Sequence, residues 1–588
     1  MSSQHQEQFS EASNYNVDID YSNDMVNDID FSTSRIRKIL KDVNVNKSAG
    51  PDGIHGKVLK NCREGIVYPL AIIFRISYNM GQIPAEWKLA NVVPVHKKGP
   101  KTAVENYRHI SLTSLAMKVF EKIVRDELLA KCRDRLSHNQ HGFLPQRSCT
   151  TQMVDYIDSL STSINENIRT DVVYFDFAKA FDSVNHDIIL MKLKQEFKID
   201  GTLLKFIVDY LKDRKQSVVI GGAQSGLINV RSGVPQGSIL GPLFFVLFIN
   251  DMSECIQEGT NIALYADDTK IWRKIINWSD HEILQRDIDA LHSWAQRNKM
   301  KFHSKKCKVL SVSNKATEGN VWSKVLPLQT FHYILNGVDL EFVKSEKDLG
   351  IVVTSDLCWE EYILALCTKA SSRLGLMKRT LRFIKDRKQK RAFYLALIRS
   401  LFEHGSIIWC PTTVVLINKV ETIQRRAVKW ILGEQDHHYN DIEYLSRLRD
   451  LDLMPMINKL GYTDLVVFHS IYNNRSVVKL PSYLLPLTNN ERGRLRTNIR
   501  PPERLGNADQ SDSNIPDLNE RRNNRYDRFS LKSAVEAKTR PFRTSFFFRT
   551  HSAWNDLPTS FKEESDSGIF KTILKKYMWD MILKTDPD

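Results

Sequence analysis

Three aspartates carry the chemistry that this sequence could perform. Asp267 and Asp268 are adjacent within Ala263 to Trp272 (ALYADDTKIW), where apolar residues run up to the pair and resume at Ile271. That pattern predicts a strand, a tight turn and a second strand, with both carboxylates at the hairpin tip. Asp is depleted in strands and neighbouring like charges repel, so a turn with no other duty is more readily made by Asn-Gly or Asp-Gly. Paired acids also occur in ordinary solvated loops, so the pair alone does not decide. The third aspartate, Asp176, lies in the apolar run Val172 to Phe177, close to Phe181. A carboxylate there is costly to desolvate unless a cation or hydrogen bonds balance it. Oxygen-only ligands without His or Cys nearby suit a hard cation such as Mg²⁺ better than zinc. Asp182, six residues on, has the more ordinary place of a helix-start acid.

The elements that must position these groups follow from periodicity. Val172 to Phe177 reads as a buried strand that turns helical after Ala178. Gly233, Pro235, Gly237, Gly241 and Pro242 force a shaped loop before the apolar run Ile239 to Ile249, which predicts a buried helix. Trp87 to His96 reads as a strand leading to Lys97. Arg108 follows a loop and is expected at the start of the helix through Leu115, Val119 and Phe120. Fixed cations at such places can hold phosphates. Helices are also expected through Ile36 to Val43, Val58 to Met80 and Ile283 to Trp294, and a strand at Val309 to Val312 beside Lys305, Lys306 and Lys308.

Composition narrows the class. With 588 residues, 42% hydrophobic and 10% aromatic, the chain has ample material for several packed domains. The net charge is +15, and residues 1 to 34 hold seven acids and no Lys or Arg, so the positive excess lies in the remainder. A basic body of this size suits a polyanionic partner, nucleic acid first. Lys378 to Arg391 has eight Lys or Arg among 14 residues, and VETIQRRAVKWI from Val420 forms an amphipathic pattern with Arg425, Arg426 and Lys429 on its polar side. No glycine cluster is followed by Lys-Ser/Thr, which disfavours a P-loop NTPase. The eight cysteines form no CxxC pair, so neither zinc nor a disulfide framework is indicated. No signal pattern or membrane-length apolar run is present, so an intracellular protein of cytoplasm or nucleus is expected, with no membrane partner.

Asp176, Val234-Pro235-Gln236-Gly237 and Tyr265-Ala266-Asp267-Asp268 together resemble the reverse transcriptase family. The wording is similar to non-long-terminal-repeat retrotransposon polymerases of the jockey-like kind. The blocks KSAGPDGI, NYRHISLTS, QHGFLPQRSCT, VYFDFAKAFDSVNH, SGVPQGSILGPLFF, YADDTKIW and SEKDLGIVV follow that family's order between residues 47 and 353. The resemblance implies an α+β right-hand polymerase: fingers, a palm with an antiparallel sheet, and a thumb, followed by a mainly helical C-terminal region. It implies RNA-directed DNA polymerase activity on an RNA template, with a DNA primer or target and deoxynucleoside triphosphates as substrates. Two Mg²⁺ ions, with Mn²⁺ as a substitute, would be held by Asp176, Asp267 and Asp268. Lys97 and Arg108 match residues that clamp the triphosphate, and Phe181 matches the aromatic gate against a ribose 2′-hydroxyl. Gln236 and Gly237 would lie along nucleotide and template, and Lys306 near the leaving pyrophosphate as a general acid.

The implied division is an acidic disordered leader over 1–34, fingers over 35–170, palm over 171–345 with fingers elements interleaved, thumb over 346–435, and a C-terminal region over 436–588. The last contains a mobile linker near 485–528. His109 stands where the family usually has proline (NYRPISL), which predicts altered fingers geometry and reduced activity. Elements of this kind carry an endonuclease ahead of the polymerase. Only the acidic leader precedes the first expected helix, so the chain is expected not to nick its own target. No acidic constellation for an RNase H domain and no CCHC knuckle is seen. A second reading is a catalytically silent remnant that keeps a basic groove for nucleic acid; the three intact aspartates favour the polymerase.

Overall fold

The computed structural model describes residues 29–97, 99–314, 331–434, 438–487, 527 and 529–584. Most of the expected leader and the expected linker lie outside the described residues. Packing begins within the span expected as leader: Ile29 and Phe31 are buried, and the Phe31 ring meets Tyr78 and Phe120.

Two sheets hold the residues of interest. The strands are β1 (Leu89–His96), β2 (Tyr107–Thr113), β3 (Arg169–Phe175), β4 (Lys215–Ile220), β5 (Ala223–Gln224), β6 (Ile228–Asn229), β7 (Thr260–Tyr265), β8 (Asp268–Ile275), β9 (Lys308–Val312), β10 (Ile334–Leu335), β11 (Val338–Asp339), β12 (Glu341–Val343), β13 (Ser345–Asp348) and β14 (Ile351–Thr354). The central sheet has the order β12-β9-β3-β8-β7, with β3 antiparallel to both β8 and β9. The other sheet runs β2-β1-β4-β5, with β6 also on β4; β1 and β2 are antiparallel, while β1 and β4 are parallel.

The alternation of strand side chains places the two faces of the central sheet in different cores. Val173, Phe175, Ile262, Leu264, Ile271 and Val309 join one, and Val172, Ala263, Trp272, Leu310 and Val312 the other. Burial on both faces explains the nearly continuous apolar text of β3, which in an antiparallel sheet with one wet face would alternate. Helices cover the first core: α1 (Thr33–Lys41), α2 (Gly56–Asn61), α3 (Arg63–Met80) and α4 (Leu115–Cys132). Then α5 (Cys149–Asn165) covers the opposite face, and α6 (His186–Gln195), α7 (Gly201–Leu211), α8 (Leu240–Phe248) and α9 (Trp278–Arg297) complete the first.

Beyond β14 the described chain is mainly helical, led by Glu360–Thr380, Val414–Leu432, Met456–Tyr472 and Ser567–Lys584. These helices share the core of α5. Asn165 at the end of α5 clasps the C-terminal segment: it donates to Glu536 O (2.8 Å) and accepts from the amides of Lys538 (2.8 Å) and Thr539 (3.1 Å). Among the described residues no helix is long and apolar enough to cross a membrane.

Candidate active site

The turn between β7 and β8 is two residues long, Ala266 and Asp267, because Tyr265 pairs directly with Asp268. Asp267 therefore occupies the tip, while Asp268 is the first residue of β8. Ala266 has φ 56° and Asp267 is not left-handed, the pattern of a II′ turn, which suits the strand twist. An L residue at that φ must be held there. The holder is Gln140, fully buried, whose side-chain oxygen accepts from the amides of Ala266 (3.0 Å) and Gly142 (2.7 Å). The segment Asn139 to His141 also bonds to β7 along its edge, through Leu264 N to Asn139 O (2.9 Å) and His141 N to Leu264 O (2.8 Å). A Cβ on Gly142 would lie 2.5 Å from the Ala266 nitrogen, which explains the glycine after Gln140 and His141.

Asp176 follows β3 directly. Its carbonyl accepts from His303 N (2.7 Å), and its carboxylate meets Lys306 Nζ at 3.2 Å. The lysine and aspartate of that pair are both largely solvent-facing. Asp176 and Asp268 line one open cleft of about 450 Å³, together with Lys305, Lys306 and the residues Glu346 to Gly350.

Two of the three carboxylates, Asp267 and Asp268, have their proton affinity raised. Asp268 is pushed up to about 6, first by desolvation, then by Asp267, Asp348 and Asp176, against a lowering by Lys270. Asp267 is raised by desolvation and by Asp176, and lowered by its own backbone and by Arg108 and Lys97. Both cations singled out in the sequence thus act on the carboxylate at the turn. Carboxylates close enough to act on one another offer only oxygen donors, which suit a hard divalent cation.

Arg108 is not at a helix start as expected. Tyr107–Thr113 is a strand, with Arg108 opposite Val95 on β1, and the helix begins only at Leu115. Lys97 sits at the far end of β1, its amide donating to Asn106 O at 2.8 Å, so the two cations share one hairpin. His109 is opposite Pro94. A proline cannot donate, so this is a non-hydrogen-bonded pair and the His109 amide points to the free edge of β2. Histidine leaves the strand regular, and a proline at 109 would cost no ladder bond.

The loop Gly233 to Gly237 is pressed against that same edge of β2. Ser111 N donates to Gln236 O at 2.7 Å, and a Cβ on Gly237, at φ 132°, would collide with Ser111 O. The Gln236 amide donates to Asp182 Oδ1 at 3.4 Å. A fully buried carboxylate, Glu121 of α4, anchors the far side of the loop: it accepts from Ile239 N (2.5 Å), Leu240 N (3.3 Å) and Tyr210 OH (3.0 Å) at the N-terminal end of α8. Phe181 is stacked on Phe245 (4.5 Å, 23°) and meets Phe143 edge-on (6.2 Å), so its ring has one orientation.

Gln140 and Glu121 carry this geometry and were not singled out in the sequence. A buried polar residue inside an apolar helix, as at Glu121, was the available signal. Among the described residues no cluster of His, Cys, Asp and Glu is tight enough to be a preassembled metal centre.

Residues 95–343 match the family described as Reverse transcriptase (RNA-dependent DNA polymerase). The chain is 26% identical over 413 residues to the probable RNA-directed DNA polymerase from transposon BS of Drosophila melanogaster, covering 67% of this chain and 44% of that protein. It is 24% identical over 442 residues to the RNA-directed DNA polymerase from mobile element jockey of the same species, covering 72% and 46%. A third relative, the probable RNA-directed DNA polymerase from transposon X-element, is 23% identical over 417 residues, covering 68% and 44%. The chain spans less than half the length of these relatives.

Proposed function

Because this chain carries a reverse transcriptase domain of the non-long-terminal-repeat retrotransposon kind, we propose that it extends a primer 3′-hydroxyl on an RNA template with deoxynucleoside triphosphates. The observation that carries this reading is the placing of Asp176 and Asp268 on one cleft, with Asp267 at the turn next to Asp268 and Lys97 and Arg108 acting on it. The donor set fits two divalent cations held by the three aspartates, Mg²⁺ first and Mn²⁺ as a substitute. When bound, such ions lower the pKa of the attacking hydroxyl and offset charge on the triphosphate.

The remaining work belongs to side chains. Lys97 and Arg108 hold phosphate oxygens from the β1–β2 hairpin, the arginine by its planar fork. Phe181, fixed by Phe245, closes the space a 2′-hydroxyl would need. Gln236 and the Gly237 backbone lie along nucleotide and template, supported by Ser111 and, through α8, by Glu121. Lys306, whose ammonium lies 3.2 Å from Asp176 on the open side of the cleft, would give a proton to the leaving pyrophosphate. In this reading the sheet of β1, β2 and β4 belongs to the fingers, the central sheet is the palm, and Glu360–Thr380 with Val414–Leu432 form the thumb.

The test is primer extension on an RNA template with deoxynucleotides and Mg²⁺, comparing the chain with Asp267→Ala/Asp268→Ala. Extension by the parent that disappears in the variant is expected. A parent that binds primer and template but never extends them would replace this reading with the silent, nucleic-acid-binding one.

A further inference from the structure

Lys270 stands two residues after Asp268 on β8, so the two side chains leave the same face of the strand. Its ammonium forms an ion pair with Asp348, and both side chains are buried, at 3% and 6% exposure. The amine's other neighbours are the Tyr156 ring, 4.0 Å from Nζ to centroid, and Met153 Sδ at 3.6 Å. Tyr156 is hydroxyl-bonded to Tyr174 (2.7 Å), which is the cross-strand partner of Lys270. The lysine is thus caged, with Asp348 as its counter-charge.

Asp348 ends β13, and the next two residues, Leu349 (φ 45°) and Gly350 (φ 92°), form the tight turn into β14. The hairpin is a separate two-stranded sheet, seated by Ile351 and Val353 on the core that it shares with one face of the central sheet. Such a hairpin has little stability of its own. Its turn is held by side chains: Lys270 on Asp348, His404 Nε2 against Leu349 O (3.2 Å), and Tyr362 OH donating to Gly350 O (3.4 Å). The same turn lines the cleft that Asp176 and Asp268 line. A buried ion pair contributes little net stability compared with apolar residues of the same volume, whereas it does fix one arrangement.

We propose that Lys270, through its buried ion pair with Asp348, is a positioning residue that sets the Leu349–Gly350 turn against the carboxylate hairpin and so places the 3′ end of the strand being extended. This rests on the polymerase reading given above. The turn and Asp268 are then registered by one strand, β8, and a nucleotide end lying in the cleft meets both.

The test uses the full chain and two variants, Lys270→Met and the apolar pair Lys270→Met/Asp348→Leu, with two readouts. Hydrogen exchange of the 345–354 amides should rise in Lys270→Met while the β7–β8 amides stay as in the parent; unchanged exchange in the hairpin overturns the tie whatever the activity. In primer extension the apolar pair should fold with a Tm near the parent's, yet show kcat reduced by roughly tenfold or more with the KM for deoxynucleotide little changed. Parent-like kcat in that double variant makes the ion pair a matter of folding alone and overturns the proposal. A parent chain without extension overturns the polymerase reading instead, and hydrogen exchange alone then decides the tie.

Discussion

Asp268 sits where its own charge is unwelcome until a cation arrives. Its proton affinity is raised to about 6 in the folded chain, against about 4 for an unfolded aspartate. Between those values folding takes up a proton, so this group's contribution favours the folded state below about pH 4 and is lost as pH rises through 6. Asp268→Asn should therefore raise the Tm of the metal-free chain at pH 7.5 and cease to do so near pH 4, as thermal melts in a chelating buffer would show. The same substitution should abolish extension, so stability and activity move in opposite directions. Phe181 yields a separate expectation. With its ring pinned on Phe245, Phe181→Val opens space without disturbing the backbone, and ribonucleotide incorporation should rise at least tenfold relative to deoxynucleotide. Unchanged discrimination would remove Phe181 from the gate. Asp176, Asp267 and Asp268 were legible in the sequence because carboxylates inside apolar strand text contradict their surroundings. Gln140 and Glu121 were not, since their partners are backbone amides 126 and 118 residues away, and no local pattern encodes those bonds.

Among elements, the edge of β2 does the most. It carries Arg108 toward the carboxylates and, through Ser111, carries the loop that presents Gln236. Gly237→Ala adds a methyl that meets Ser111 O at a φ alanine avoids, so the loop must leave the strand. Extension should drop about 100-fold, the scale expected for a displacement of about 1 Å, while far-UV circular dichroism stays that of the parent. A parent-like rate would show that the loop does not touch the nucleotide. The sequence reading missed β2 itself. Tyr107–Thr113 precedes a strongly apolar helix, and among the described residues its strand partner is β1, with β4 on the far side of β1, so local periodicity favoured the helix and tertiary pairing made the strand. The hairpin β7–β8, α8 and α9 were readable because each is long or strongly patterned. The β13–β14 turn, which owes its place to Lys270 and His404, was not.

At the scale of the whole molecule, positive charge collects on the helices after β14. Burial lowers the Lys378 ammonium, and Arg426 and Lys429 lower it further, so three cations from two packed helices crowd together. Neutralising all three to Gln should weaken binding to a primer–template duplex and reduce the magnitude of its log–log salt slope by about 2 to 3, if each releases one counterion from the nucleic acid. An unchanged slope in a salt titration would place the duplex elsewhere. The helical character and basicity of this half were visible in composition; its attachment to α5 through Asn165 was not, because the partner segment lies some 370 residues further on.

The parallel pairing of β1 with β4 also bears on how the chain is made. Residues 89 to 92 must wait for 215 to 218 before their sheet closes, and β3, which belongs to the other sheet, is synthesised in between. At about 5–20 residues per second, translation leaves the β1–β2 hairpin without its inner neighbour for several seconds. During that time the apolar edge of β1 is open to other chains. A ribosome-bound chain stopped before residue 215 should therefore be protease-sensitive throughout β1 and β2, and a chaperone that shields nascent strands would act there first.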